Sequence, residues 1–497
     1  MEWTREKRYL PYNQWDAETL LQLQAQANNS KYQVKYHIRP TSGLINDPNG
    51  FSYYNGKWHV FYQSYPFGAT HGLKSWVHMQ SSDLVHWENL GLALGADTKY
   101  DSHGAYSGSA LVIDEKLFLM YTGNVRDKNW ARFSYQNGAI LDKDGQVTKL
   151  PEPLLTAPNH VTEHFRDPQL IKHRDQYYVF LGAQDKTTLS GQVALFRSSD
   201  LHNWDDLGYL DFSDEVMGYM IECPNLVFVD NKPVLIFCPQ GLDHEVSAYE
   251  NIYPNMYIVG EQLKFDAAKM ETNQKSPLNL DAGFDVYATQ AFNAPDGKTY
   301  AISWVGLPDI AYPTDTENWA NCFSQVKQLS LAEDGTLIQR PVPEMANLRH
   351  NGVNIRTSSA INNVQVVQDT AGQQFELKVT IAANQVGTLH LAANSNLSES
   401  LKLVFSTDCD ARLTVDRTTA GIQYATEYGT TRAVDLVANE SLDLDIFIDG
   451  SLFEIFINGG RQVVTGRFFA PTSNTKVAFT STKALGYSGT YWQIEHI

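Results

Sequence analysis

No apolar run of 18 residues occurs anywhere in this 497-residue chain, so the sequence offers no candidate membrane-spanning helix. The charged opening, Met1 to Arg8, is not followed by the apolar stretch of a secretory signal, and the expectation is a cytoplasmic protein without membrane partners. Cysteine is scarce. Cys223, Cys238, Cys322 and Cys409 are widely spaced with no Cys-x-x-Cys pair, which argues against a disulfide framework and for reduced thiols. In that setting Asn28-Asn29-Ser30 and Asn439-Glu440-Ser441, which match the glycosylation pattern, are chance matches. Basic runs are lacking too: 38 Lys+Arg against 56 Asp+Glu give a net charge of −18, which makes nucleic acid a poor partner. Charged residues reach only 19%, below the about 25% of ordinary domains, while aromatics reach 12%. Uncharged polar loops with exposed rings give this balance, and such surfaces bind sugars.

The chain is too long for one hydrophobic core, and its 43% apolar content suffices for two. Asp16 can cap a short helix carrying Ala17, Leu20, Leu21 and Leu23, which stops at Asn28-Asn29-Ser30, so residues 1–30 are a helical extension. From about residue 36 to about 340 the helical period nearly vanishes. Instead a polar turn followed by an aromatic-rich strand recurs: Asn55-Gly56 before Trp58 to Tyr62, Asp114-Glu115 before Leu117 to Tyr121, Asp175-Gln176 before Tyr177 to Phe180, Asn231-Lys232 before Val234 to Phe237, and Asp296-Gly297 before Tyr300 to Trp304. Ser82-Asp83-Leu84-Val85-His86-Trp87 is echoed by Ser199-Asp200-Leu201-His202-Asn203-Trp204. Five all-β units at a near-constant spacing predict a five-bladed β-propeller over 31–340. Arg340-Pro341-Val342-Pro343-Glu344 opens a linker at 341–355, with a helical turn through Met345 to Leu348. Beyond it Phe375, Leu377, Val379 and Ile381 alternate with polar residues, as do Leu442, Leu444, Ile446 and Ile448 before the turn Asp449-Gly450. That alternation predicts an antiparallel β-sandwich over 356–497, in which no constellation of chemistry stands out.

The repeat also sorts the acids. Asp47 precedes its turn residue Asn55 by eight positions, Asp167 precedes Asp175 by eight, and Glu222 precedes Asn231 by nine. Each is followed by proline, in Asp47-Pro48, Asp167-Pro168 and Glu222-Cys223-Pro224. The innermost strand of a blade lines the central channel, so three blades would aim a carboxylate into one cavity. The comparable place in the other blades holds Tyr106-Ser107 and Asp285-Val286-Tyr287, hydroxyl and ring donors suited to a sugar. Crowded carboxylates split their pKa values, which suits acid-catalysed glycoside cleavage by a nucleophile and an acid. A Ca²⁺ site is the rival use, but the acids lack the dense ligand spacing of a Ca²⁺ loop, and no metal or cofactor is expected. His160-Val161-Thr162-Glu163-His164 matches an inverted zinc-protease pattern, yet Pro158 and Pro168 leave little room for the helix it requires.

The blocks Asn46-Asp47-Pro48-Asn49-Gly50, Phe165-Arg166-Asp167-Pro168 and Glu222-Cys223-Pro224 resemble the three signature motifs of glycoside hydrolase family 32, the β-fructofuranosidases, in the same order. The resemblance implies the same propeller and sandwich, a fructosyl-enzyme formed on Asp47, Glu222 as general acid and then base, and Asp167 as stabiliser of the transition state. It also implies fructosyl contacts from Asn46, Gln63, Trp76, Ser107, Arg166, Tyr287 and Trp304. Departures fall at Leu44-Ile45, Tyr106 and Asn225. His71-Gly72-Leu73-Lys74-Ser75-Trp76 is similar to the intracellular members that hydrolyse sucrose 6-phosphate. His71, Lys74, Arg126 and His244 are candidates for a phosphate by residue type alone. Hydrolysis of plain sucrose or short fructans is the alternative, and a catalytically silent sugar-binding propeller is the alternative of another class. The oligomeric state is not written in the sequence.

Overall fold

The computed structural model describes residues 3–357 and 363–495; Met1 and Glu2 of the charged opening lie outside the described residues. Asp16 caps a helix at Ala17–Asn28, its Oδ1 accepting the Glu18 N–H at 3.0 Å. A shorter helical turn at Arg5–Arg8, not expected from the sequence, is capped by Thr4.

Five antiparallel sheets follow as blades, with innermost strands Gly43–Tyr54, Ala105–Ile113, Val161–His173, Met220–Val229 and Val286–Asn293 in blades one to five. The expected turns fall as read after the first two of these strands. In blades three and four they come one residue earlier, at Arg174-Asp175 and Asp230-Asn231, because the next strands begin at Gln176 and Lys232. The echoed Ser-Asp-Leu segments are one turn built twice: Trp87 Nε1 donates to the Leu84 carbonyl at 3.1 Å and Trp204 Nε1 to that of Leu201 at 3.2 Å.

Every innermost strand carries a bulge at the same height. Asp47 is the extra residue between the pairs Asn46/Gln63 and Pro48/Tyr62. Tyr106-Ser107, Asp167-Pro168, Cys223-Pro224 and Ala288-Thr289 stand at the matching places in blades two to five. Bulges re-aim side chains, and here Asp167, Cys223 and Ala288 take the left-handed φ values of 65°, 49° and 47°. This register sharpens the spacing of the acids. Asp47 and Asp167 are equivalent, whereas Glu222 aligns with Asn46 and Arg166, one residue earlier, which is why its count to the turn is longer.

Just past the bulge, side chains staple each blade to the next. Asn49 Oδ1 accepts Gly108 N–H (2.9 Å), Ser109 Oγ accepts Leu170 N–H (2.8 Å), and Gln169 exchanges bonds of 2.6 and 2.8 Å with the Leu226 backbone. Asn225 Oδ1 accepts Ala291 N–H (3.3 Å), and Gln290 Oε1 accepts Phe51 N–H (2.7 Å), which closes the ring. Asn225, a departure from the family pattern, is thus one of these links. A second closure is a parallel pairing of Trp319–Ala320 with Gly43–Leu44, reinforced by Gly43 N–H to the Asn318 carbonyl at 2.7 Å.

The C-terminal part is a sandwich of two six-stranded sheets. The alternating residues Phe375, Leu377, Val379 and Ile381 face its core with Leu444, Ile446, Ile455 and Phe479, each such burial worth about 1.5–3 kcal/mol. Residues 349–355, read from sequence as linker, instead belong to a strand, Arg349–Arg356, paired with Tyr487–Ile494 in this sandwich, and the helical turn spans Pro343–Leu348. The two domains meet through buried charge. Asp449 accepts the N–H groups of Lys35, Tyr36 and His37, and the His37 imidazole lies 2.9 Å from both Asp449 and Glu454. Asp285, expected among the sugar donors, turns away to this interface, where it accepts Tyr424 OH at 2.6 Å and Arg467 N–H at 2.8 Å.

Candidate active site

The channel opens into a cavity of about 170 Å³ lined by Asn46, Asp47, Gln63, His71, Lys74, Tyr106, Ser107, Arg132, Arg166, Asp167, Glu222, Gln240, Tyr287, Trp304 and Pro308. The three acids therefore meet, as their register required. Asp47 accepts from Asn46 Nδ2 at 3.1 Å, from Gln63 Nε2 at 3.5 Å and from the Ser107 hydroxyl. Gln63 also donates to Ser107, and Asn46 donates to Gln63 Oε1 at 3.0 Å, so these four residues form one hydrogen-bonded floor. Asp167 is fixed by its bulge: its N–H donates to Thr122 Oγ1 at 2.9 Å, and its Oδ2 accepts the Cys223 N–H at 3.0 Å. Glu222 Oε1 takes both Arg166 Nη2 (2.6 Å) and Nε (3.1 Å), and its Oε2 takes Tyr287 OH (2.6 Å) and Gln240 Nε2 (2.7 Å).

These partners divide the acids electrostatically. Burial pushes Asp167 up to about 7 against the pull of Arg166, with Glu222 and Asp47 adding repulsion. Burial also raises Asp47, opposed by its Ser107 bond and reinforced by the Glu222 charge. Glu222 is buried as well, yet Arg166, followed by Tyr287, outweighs burial and holds its carboxyl below the usual range. Arg166 thus favours the charged form of Glu222, while burial favours the neutral forms of Asp47 and Asp167.

The expected contacts distribute unevenly. Asn46, Gln63, Ser107, Arg166, Tyr287 and Trp304 all line the cavity. Trp76 does not: it is 0% exposed, packs against Phe61 and Tyr121, and donates its indole N–H to the Tyr106 carbonyl at 3.0 Å. Its position behind the wall, required to hold Tyr106, removes it from the sugar contacts. Among the phosphate candidates, His71 and Lys74 line the cavity, but the Lys74 amine donates to Asn46 Oδ1 on the Asp47 side, and burial lowers it to about 7. His244 is exposed elsewhere, stacked on Tyr249 at 4.2 Å. Arg126 stands outside the lining, beneath Trp130, whose carbonyl it holds at 3.0 Å. Three lining residues escaped the sequence reading: Gln240, Pro308 and Arg132. A signal for Arg132 existed, since Arg126, Lys128 and Arg132 crowd around Trp130 in an acidic chain.

His164 lies in an extended strand with Nδ1 3.1 Å from Arg166 Nη1, so the zinc-protease pattern has no helix to act on. Among the described residues no group of three or more His, Cys, Asp or Glu is placed to hold a metal ion, and no helix is long and apolar enough to cross a membrane.

A trio of carboxylates on the floor of a five-bladed propeller's cavity, backed by a β-sandwich, defines a glycoside hydrolase, and comparison with known proteins specifies which. Residues 37–341 match the glycosyl hydrolases family 32 N-terminal domain and residues 344–493 the family 32 C-terminal one: the chain belongs to this family. It is 47% identical to the sucrose-6-phosphate hydrolase of Pediococcus pentosaceus, over 100% of this chain and 98% of the relative, and 45% identical to that of Streptococcus mutans, over 98% of each. The solved sucrose-6-phosphate hydrolase of Lactobacillus gasseri superposes with a TM-score of 0.97 at 57% identity over 99% of both chains. A family 32 β-fructofuranosidase of Bombyx mori gives 0.83 at 29% identity over 96% of this chain and 97% of the other.

Proposed function

We propose that this enzyme hydrolyses the β-fructofuranosyl bond of sucrose 6-phosphate, and of sucrose, with retention through a covalent fructosyl-enzyme. The observation that carries the reading is the convergence of Asp47, Asp167 and Glu222 on one small cavity, each held by different partners. Asp47, gripped by Ser107, Asn46 and Gln63, is the nucleophile. Glu222 donates its proton to the bridging oxygen and later deprotonates the attacking water. Asp167 bonds fructose hydroxyls as positive charge develops. Asp47 pushed up and Glu222 held down is the opposite order from the one attack needs, and substrate contacts work against both shifts. Sugar hydroxyls donating to Asp47 favour its charged form, while the bridging oxygen, which only accepts, favours protonated Glu222.

The cavity is smaller than the about 300 Å³ of pockets for larger ligands, which favours one fructosyl unit inside and the second sugar at the mouth over a long fructan. The similarity to sucrose-6-phosphate hydrolases favours a phosphate on that second sugar. A phosphorylated sugar does not cross a bilayer unaided, which supports a cytoplasmic setting. The test compares kcat/KM for sucrose 6-phosphate and sucrose and follows the first-formed fructose anomer by NMR. We expect retention and a clear preference for the phosphorylated sugar. Inversion would overturn the mechanism, and equal kcat/KM values would transfer the assignment to plain sucrose.

A further inference from the structure

We infer that Arg132, flanked by Arg126 and Arg8, forms the subsite for the phosphoryl group of the leaving sugar, and that residues 3–15 are the segment that builds it. The inference rests on the function proposed above. It starts from charge gathered without partners. Arg126 and Arg132 face each other across one hairpin, and neither they nor Arg5 and Arg8 form an ion pair among the described residues, although the chain has 56 acids against 38 bases. Arg5 lies 4.4 Å and Arg126 5.4 Å from the centre of the Trp130 ring, and Tyr9 meets the same ring edge-on at 5.2 Å. The Nε atoms of Arg8, Arg126 and Arg132 are buried without a hydrogen-bond partner. Burial weakens the hold of Arg132 on its proton, Tyr106 opposes this, and repulsion from Arg166 and Arg126 adds to it.

Guanidinium groups left unpaired beside one another are costly unless an anion joins them, and their planar forks match phosphate oxygens. Arg132 lines the cavity that holds Glu222, the group that would protonate the leaving sugar, so an anion at Arg132 sits on the leaving side. Lys74, by contrast, is held to Asn46, the residue that also donates to Asp47.

The N-terminal segment joins the two walls of this subsite. The Arg8 carbonyl accepts Leu73 N–H at 2.8 Å, Arg8 Nη1 donates to the His71 carbonyl at 3.5 Å, and Tyr12 OH donates to the Leu73 carbonyl at 2.8 Å. Trp15 stacks on Phe67 at 4.4 Å, anchoring the same loop. Tyr9, on the other side, touches Trp130 and His103 and, with burial, raises the Tyr106 phenol in the cavity wall.

The test measures kcat/KM on sucrose 6-phosphate and on sucrose for the full chain and for Arg132→Gln, Arg126→Gln and Arg8→Gln, with inhibition of sucrose cleavage by inorganic phosphate as a second readout. We expect the ratio of the two kcat/KM values to fall about 10- to 100-fold for Arg132→Gln, the range of a lost hydrogen bond to a charged group. Smaller falls are expected for the other two, with about 10-fold weaker phosphate inhibition in Arg132→Gln. Arg132→Lys, which keeps charge but not the fork, should fall between. A high wild-type ratio that none of these variants moves overturns the subsite alone. A wild-type ratio near one overturns the phosphorylated substrate and the subsite together.

Discussion

The floor and the rim of the cavity are built on opposite terms. On the floor the acids find partners on the first two strands of the blades: Asp47 in Ser107, Asn46 and Gln63, and Glu222 in Arg166, Tyr287 and Gln240. At the rim, arginines from a hairpin tip and from the N-terminal segment stand with buried Nε atoms unpaired. Rigid, satisfied groups suit chemistry that proceeds the same way on every substrate, whereas unsatisfied groups await one particular ligand. The proposed reaction and the proposed selectivity therefore fall to different parts of the chain.

Changes on the floor should test this division first. Asp47→Asn removes the proposed nucleophile, and we expect kcat to fall by about three orders of magnitude or more on both substrates. A variant that retained turnover would indicate a sugar-binding propeller instead. Tyr287→Phe removes a bond that holds Glu222 ionised. Its carboxyl should then protonate at higher pH, so the basic limb of the kcat/KM profile should move up, with an about 10-fold loss of rate. A limb that moved down would contradict the assignment of Glu222 as the acid. Asn49→Ala deletes one blade staple and strands the Gly108 N–H. We expect stability to drop by about 1–3 kcal/mol in denaturant titrations while the preference for the phosphorylated sugar stays put. The domain interface gives a pH test. His37 is raised to about 9: burial opposes its charge, and its bonds to Asp449 and Glu454 overcome that. A raised histidine stabilises fully below its unfolded value of about 6.5. Wild-type stability should accordingly decline as pH rises through about 9, and His37→Gln should flatten that decline. His244→Ala should change neither substrate's kcat/KM by more than about two-fold, since surface positions contribute little.

Much of the floor was legible in sequence because it follows from repetition. Turns mark the blades, blades fix the register, and the register brings Asp47, Asp167 and Glu222 together. Even the odd count for Glu222 had a cause, the bulge that sets Cys223 rather than Glu222 level with Asp167. The rim was not legible. Arg5 and Arg126 are far apart in sequence and look like solvated surface charge until the fold places both over Trp130, with Arg132 facing Arg126 across the same hairpin. Trp76 and Asp285 misled for the converse reason: each lies two residues from a residue that lines the cavity, Lys74 and Tyr287, yet one turns into the blade core and the other toward the sandwich. Two-residue spacing shares a face only within a strand, and Lys74 and Asp285 each fall just before the strand that holds the other member of the pair.

The parallel pairing of Gly43–Leu44 with Trp319–Ala320 has a consequence in time. The strand that bears Asp47 leaves the ribosome early, but its edge partner follows roughly 270 residues later, which at about 5–20 residues per second is on the order of 15–50 s. Gln290, which joins the fifth blade to the first, also comes late. A nascent or truncated chain ending before residue 318 lacks that edge partner, so the enzyme acquires a closed ring around Asp47 only when about two-thirds of its synthesis is done.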